Sequence, residues 1–201
     1  MSKATITNST TSTWRLTTEK IVIAGVLGAI TLILGFVPNL GFIPLPNVVG
    51  NATIGHIPTI LAGVIAGPLV GIILGFLFGL TSFIHAVNPF FKDPSVSILP
   101  RLFIGLTAWA TFIALVRINR DAAAAVAGFV GSMTNTILVV AMLIARGYFP
   151  AQVIIPVVLA QAIAEAVIAA VFTVILARVF YILEARLVRA PDTKPRDELP
   201  Y

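Results

Sequence analysis

The chain has 201 residues, of which 58% are apolar and only 10% charged, with a formal net charge of +5. A soluble domain of this size must cover its surface with polar and charged groups, and this sequence holds too few. Cysteine is absent, which excludes disulfides, thiolate metal sites, iron–sulfur clusters and thiol nucleophiles.

A membrane span needs roughly 20 apolar residues, and the charge-poor stretches supply five or six such segments. A polar tail, 1–18, precedes helix 1, which runs from about Glu19 to Val37 and is read as a retained helix rather than a cleaved signal. Pro38, Gly41, Pro44 and Pro46 then break any helix as far as Asn51. This loop is unusually apolar (Leu40, Phe42, Ile43, Leu45, Val48, Val49), and two readings stand: a flap over a ligand, or a loop resting in the membrane interface. Helix 2 begins near Gly55 or His56 and stops at Gly67-Pro68, short for a full span. Helix 3 follows from Pro68, a residue suited to a first helical turn, to about Ala86. Asn88 to Ser97 reads as a polar loop, helix 4 as Ile98 to Ile118, helix 5 as Ala122 to Arg146, and helix 6 as Gln152 to Arg186. A polar tail, 187–201, ends the chain.

The expected fold is therefore an all-α integral membrane protein, a compact bundle of six transmembrane helices formed by 19–186. Alternating six spans from a cytoplasmic N-terminus puts Lys3, Arg15, Lys20, Arg117, Arg120, Arg178, Arg186, Arg189, Lys194 and Arg196 inside. Only Lys92, Arg101 and Arg146 fall outside, so basic-residue asymmetry places both termini in the cytoplasm of a cell. No basic cluster is interleaved with aromatics, so nucleic acid is not an expected partner.

Polar groups deep in a membrane face a cavity or a partner. Glu165 lies roughly 20 Å from the outer end of helix 6, and Asn135 roughly 16 Å from the outer end of helix 5. Gln161 is one turn outward of Glu165 on the same face. Arg101, His56, His85 and Asn88 map to the outer ends of helices 2, 3 and 4. The set describes a substrate pocket opening outward; the alternative is hydrogen bonding that only glues helices together. Each histidine alone is more often a packing residue than a ligand. Arg101 suits an anionic substrate group, a lipid headgroup or an ion pair with Asp93. No histidine pair at metal-ligand spacing occurs, so no metal site is expected.

Small residues recur at i, i+4: Ala24/Gly28 and Gly25/Ala29 in helix 1, and Gly71, Gly75 and Gly79 in helix 3. Such stripes let another backbone approach closely. Internal packing is the better reading for helix 3, whereas helix 1 can present its stripe to a partner. There is no P-loop, no Gly-x-Ser-x-Gly and no His-Glu-x-x-His, so the chain is not expected to bind ATP or to be an enzyme.

Several segments together carry a resemblance. They are Thr53-Ile-Gly-His56-Ile-Pro58 running on to Gly67-Pro68-Leu-Val-Gly71; Gly75-Phe-Leu-Phe-Gly79; Leu99-Pro100-Arg101; Gly131-Ser-Met-Thr-Asn135-Thr136; and Ala164-Glu165-Ala166. Between about Lys20 and Leu183 the chain resembles the S components of energy-coupling factor (ECF) vitamin transporters, above all the pantothenate-type group. The resemblance implies six helices and a water-soluble vitamin bound near the outer face. It also implies docking through the helix 1 stripe (Ala24, Gly25, Gly28, Ala29) onto a transmembrane coupling subunit. Two partner ATPase subunits would use the ATP, and no cofactor would be bound by this chain. The family's stripe has two alanines, whereas each pair here contains a glycine. An alternative from the residues alone is a stand-alone proton-coupled secondary transporter built on Glu165.

Overall fold

A computed structural model of the chain describes residues 14–37, 40–44, 51–86 and 88–188. Apart from one short hairpin, the described chain is helical. Helix α1 is Thr18–Phe36, α2 Ile57–Ala66, α3 Pro68–Ile84, α4 Leu99–Leu115, α5 Arg120–Ala145 and α6 Ala151–Val188. Four helical stretches are long and apolar enough to cross a membrane: Thr18–Phe36, Pro94–Leu115, Arg120–Ala145 and Gln161–Arg186. The apolar helices α2 and α3 are shorter, at 10 and 17 residues.

The helix boundaries have local causes. The Thr17 hydroxyl accepts from Lys20 N at 3.3 Å and starts α1. Asn119 caps α5 by accepting from Asp121 N and Ala122 N, each at 2.9 Å, which carries the helix start back to Arg120. Between α2 and α3 the backbone reverses at Gly67, whose φ of 96° only glycine adopts without strain.

Two expected loops hold regular structure instead. After α1, strand β1 (Phe42–Pro44) pairs antiparallel with β2 (Asn51–Thr53), Phe42 opposite Thr53. The apolar loop residues Leu45, Val48 and Val49 lie outside the described residues, as do most of both polar tails. The stretch read as a polar loop forms a 3-10 turn, Pro89–Lys92, and a helical turn, Pro94–Ser97. Asp93 causes the second by accepting from Ser95 N (2.9 Å) and Ser95 Oγ (2.7 Å).

Glycines set how closely the helices approach. Along α3, a Cβ added at Gly71 would stand 2.9 Å from Gly105 Cα, and one at Gly79 would stand 2.8 Å from Ile98 Cα. A Cβ at Gly63 of α2 would collide with the Gly105 carbonyl, so α2 and α3 both meet α4 at one glycine. Gly131 of α5 fits against Ile60 of α2 in the same manner. The small-residue stripe of α3 is thus spent on internal packing. Around it, Ile60, Leu74, Phe78 and Ile104 are fully enclosed.

Polar contacts tie the two ends of the bundle. At the hairpin end, Arg146 pairs with Asp93 at 2.7 Å, and Phe90 stacks edge-on to Phe149 at 5.4 Å. The Ser95 hydroxyl and amide, followed by Arg146, hold the Asp93 carboxyl down at about 2. At the opposite end Arg178 pairs with Asp121, and Arg120 lies 3.2 Å over the Tyr181 ring.

Candidate functional site

The hairpin places a backbone donor on α6. Thr53 N donates to Glu165 Oε1 at 3.1 Å, and the same oxygen accepts from Gln161 Nε2 at 2.8 Å. Gln161 reaches Glu165 because residues four apart share a helix face. Thr53 itself is locked, its hydroxyl donating to Gly41 O and accepting from Gly55 N, both at 3.0 Å. The segment read as a flap is therefore attached to the half-buried carboxylate of α6.

Toward the same end of the bundle, α2 and α5 carry polar atoms that nothing in the protein satisfies. Both ring nitrogens of His56, Thr59 Oγ1, Ser132 Oγ and Asn135 Oδ1 are buried without a hydrogen-bond partner. His56 and Thr59 stand one turn apart on α2, and Ser132 and Asn135 one turn apart on α5. Their relative level follows from the contact between Ile60 and Gly131. His56 is four residues nearer the hairpin end than Ile60, and Asn135 four residues nearer it than Gly131. Each pair thus sits just above the point where glycines close the bundle. Buried polar groups are nearly always paired, so five stranded atoms on two adjoining helices mark a place that awaits a polar partner.

Other hydroxyls in these helices show the ordinary outcome. Thr31 donates to Leu27 O at 2.8 Å, Thr173 to Ala169 O at 2.7 Å and Thr134 to Val130 O at 2.8 Å, each bonding back to its own helix. Thr134 also accepts from Thr107 Oγ1 at 3.0 Å, a bond that joins α4 to α5. Thr134 is therefore one polar residue of helix 5 that joins two helices. Thr136 faces elsewhere, onto an apolar groove of about 310 Å³ between Met133, Ile144, Ile155 and Leu159.

Arg101 is buried at 3% exposure and already engaged. Its Nη1 donates to Val96 O, and its Nη2 to Ser82 Oγ at 3.5 Å. The Phe78 and Phe91 rings lie 5.8 and 5.5 Å from its Cζ. Among the described residues it has no carboxylate partner, because Asp93 belongs to Arg146. Burial also keeps it from reaching headgroups. Its Nε is unpartnered. His85 and Asn88 follow the end of α3: His85 stands edge-on to Phe36 at 4.5 Å, and Asn88 heads the turn Pro89–Lys92.

Residues 19–177 match the family described as "ECF transporter, substrate-specific component". The chain belongs to this family. A solved structure described as the S component of a bacterial ECF transporter aligns with a TM-score of 0.61 over 82% of this chain and 96% of that one. Its identity of 17% makes it evidence for a shared fold alone. Among curated proteins, none matches the sequence.

In this S component the helix 1 stripe divides between two faces. Ala24 is half-buried against the core and Gly28 is buried, with Leu77 Cδ2 3.5 Å from an added Cβ. Gly25 and Ala29 point outward, and an added Cβ at Gly25 would meet nothing within 4 Å. They lie among the exposed apolar residues Val22, Val26, Ile30 and Ile33.

Thr53, Thr59 and Ser132 were not among the residues singled out from the sequence. Their spacing was readable, three residues from His56 or Asn135, but a hydroxyl in an apolar helix is expected to bond back to its own carbonyls.

Proposed function

We propose that this S component captures a water-soluble vitamin at the hairpin end of the bundle and releases it through an ECF module. On this reading six helices cross the plasma membrane of a prokaryote, the hairpin faces outward and both termini are cytoplasmic. The α2–α3 pair makes two of the crossings. A transmembrane coupling subunit and two ATPase subunits supply the energy, and this chain binds no cofactor. The motif set makes pantothenate the first ligand to test.

One observation carries the reading: α2 and α5 leave unpartnered polar atoms just above the Ile60–Gly131 contact, toward the end of the bundle where Thr53 of the hairpin bonds to Glu165. A ligand seated there supplies their missing partners, and the hairpin closes over it. Calorimetry of the purified protein against a panel of water-soluble vitamins tests this, and absence of saturable binding to any of them would sink it. Asn135→Ala and Glu165→Ala are each expected to weaken binding more than about tenfold, or roughly 1.4 kcal/mol. Mass spectrometry of whatever co-purifies identifies the ligand directly.

Docking uses the outward pair, Gly25 and Ala29, because a partner helix can approach closely only at small exposed residues. Gly25→Leu is expected to leave vitamin affinity unchanged while abolishing uptake. Uptake that survives the change would remove α1 as the docking face. Gly28→Leu is the poorer test, since its side chain would strike Leu77 within the bundle itself.

A further inference from the structure

One positive charge is enclosed in this bundle with nothing beside it to neutralise it. Arg101 is buried, and a guanidinium stays protonated at any ordinary pH, so its charge is buried with it. The sequence has no Asp or Glu between Glu19 and Asp93, between Asp93 and Asp121, or between Asp121 and Glu165. On α3, α4 and the turns between them, Asp93 is therefore the one carboxylate. Both of its oxygens are taken: Oδ1 accepts from Ser95 N and Ser95 Oγ, and Oδ2 from Arg146 Nε at 2.7 Å and the Tyr148 hydroxyl at 3.4 Å. Glu165, on α6, accepts from Thr53 N and Gln161 Nε2, and among the described residues no ion pair joins it to Arg101.

Neutral groups hold the guanidinium in place without cancelling its charge. Val96 O and Ser82 Oγ accept from Nη1 and Nη2, and the Phe78 and Phe91 rings stand against Cζ. Nε–H is left buried with no acceptor. A buried charge is tolerated when it is paired, and one left unpaired is costly. His56 stands nearby. Gly55, the residue before it, packs on the Phe78 ring, where an added Cβ would lie 2.7 Å from Cε2, and this is the ring that Arg101 also meets. The charge of Arg101 is felt at the His56 imidazole. That imidazole is buried, neither nitrogen has a partner, and in its neutral form it still offers one N–H. Helix α2 starts at the next residue, Ile57, and adds the positive end of its dipole.

We propose that Arg101 and His56 receive the acid group of the captured solute, a carboxylate whose oxygens take the Arg101 Nε–H and the His56 N–H, so that the protein favours anionic vitamins over their neutral counterparts. This rests on the vitamin-capture reading and adds the charge class of the ligand and the residues that read it. Both donors are enclosed, so the carboxylate arrives on a small solute and not on a lipid headgroup.

Matched pairs read the acid group directly: pantothenate with pantothenol, biotin with its primary amide, and nicotinate with nicotinamide, with riboflavin and thiamine as vitamins that carry no carboxylate. Calorimetry of the purified full chain at pH 7 is expected to show saturable binding by at least one acid, tighter than its neutral partner by about tenfold or more. In Arg101→Gln, which removes the charge and keeps an amide donor, that gap is expected to shrink to within about threefold. His56→Leu is expected to narrow the same gap from the α2 side, and it carries the test if Arg101→Gln does not fold. A smaller gap in the unaltered protein, or binding confined to members without a carboxylate, overturns the acid site while leaving vitamin capture intact. A gap that stays unchanged in the folded variants overturns the assignment to Arg101 and His56. No binding by any member overturns the capture reading, and the acid site with it.

Discussion

The two halves of the bundle solve the same packing problem in opposite ways. Below the level of Ile60, helices meet through glycine and alanine, and the hydroxyls bond to their own helices: Gly63 and Gly71 on Gly105, Gly128 on Ala170, Thr173 on Ala169. Above that level, toward the hairpin, α2 and α5 leave polar atoms without partners, and α6 takes a hydrogen bond from a strand rather than from a helix. The first arrangement is complete as it stands. The second is complete only when something else arrives. Glycine packing also continues up α3 as far as Gly79 against Ile98, so the contrast belongs to the α2–α5 side, and substitutions there should separate stability from recognition.

The largest effect is expected at Gly105→Leu. Its side chain would have to enter where two backbones already touch α4, and overpacking of that kind costs about 3 kcal/mol. A thermal melt in detergent should show a large fall in midpoint or no folded fraction. A melt close to that of the unaltered protein would mean that the glycine floor carries little of the stability.

Thr59→Val and Ser132→Ala should act in the reverse direction. Each removes a stranded hydroxyl, so the melting midpoint should rise by the equivalent of about 1 kcal/mol while vitamin affinity falls. A lower midpoint with unchanged affinity would mean that these hydroxyls serve packing, and the contrast between the halves would collapse.

The hairpin should respond to Thr53→Val, which deletes the bonds to Gly41 and Gly55 but keeps the backbone donor to Glu165. Faster ligand release, by roughly fivefold for about 1 kcal/mol, is the expected reading in a stopped-flow chase. Release at the original rate would show that the hairpin does not govern closure.

The smallest effect concerns Asp93. Its carboxyl is depressed to about 2 from an ordinary 3.8, so whatever its bonds to Ser95 and Arg146 contribute is fully present above pH 4. That contribution should fade as pH falls from about 4 through 2. A melting midpoint that changes between pH 5 and 7 in the unaltered protein but not in Asp93→Asn would contradict this.

Much of the fold was legible beforehand because hydropathy, proline and glycine are local signals. The α2–α3 break at Gly67-Pro68 and the starts of α3 and α6 fall within a residue or two of expectation. The turn Pro94–Ser97 was not, since it depends on one side chain, Asp93, capping a sequence that composition reads as polar loop. The pairing of β1 with β2 was also hidden: three-residue strands are too short to show an alternation. In the site, Glu165, Gln161 and Asn135 stood out because such groups are rare in apolar helices. Arg101 stood out equally, yet its contacts with Val96, Ser82 and two rings depend on how α3, α4 and the turn before α4 pack together.

By itself the sequence determined that this chain lives in a membrane, where its helices begin and end, and which few polar residues lie deep within them. Those properties follow from the free energy of placing each side chain and backbone group in lipid, which depends on the residue and its near neighbours. Only the tertiary structure decided which polar atoms are satisfied and which are left waiting. Whether a hydroxyl or amide finds a partner depends on what the adjoining helix presents at the same height, and that is set by the glycine contacts that fix how the helices are packed.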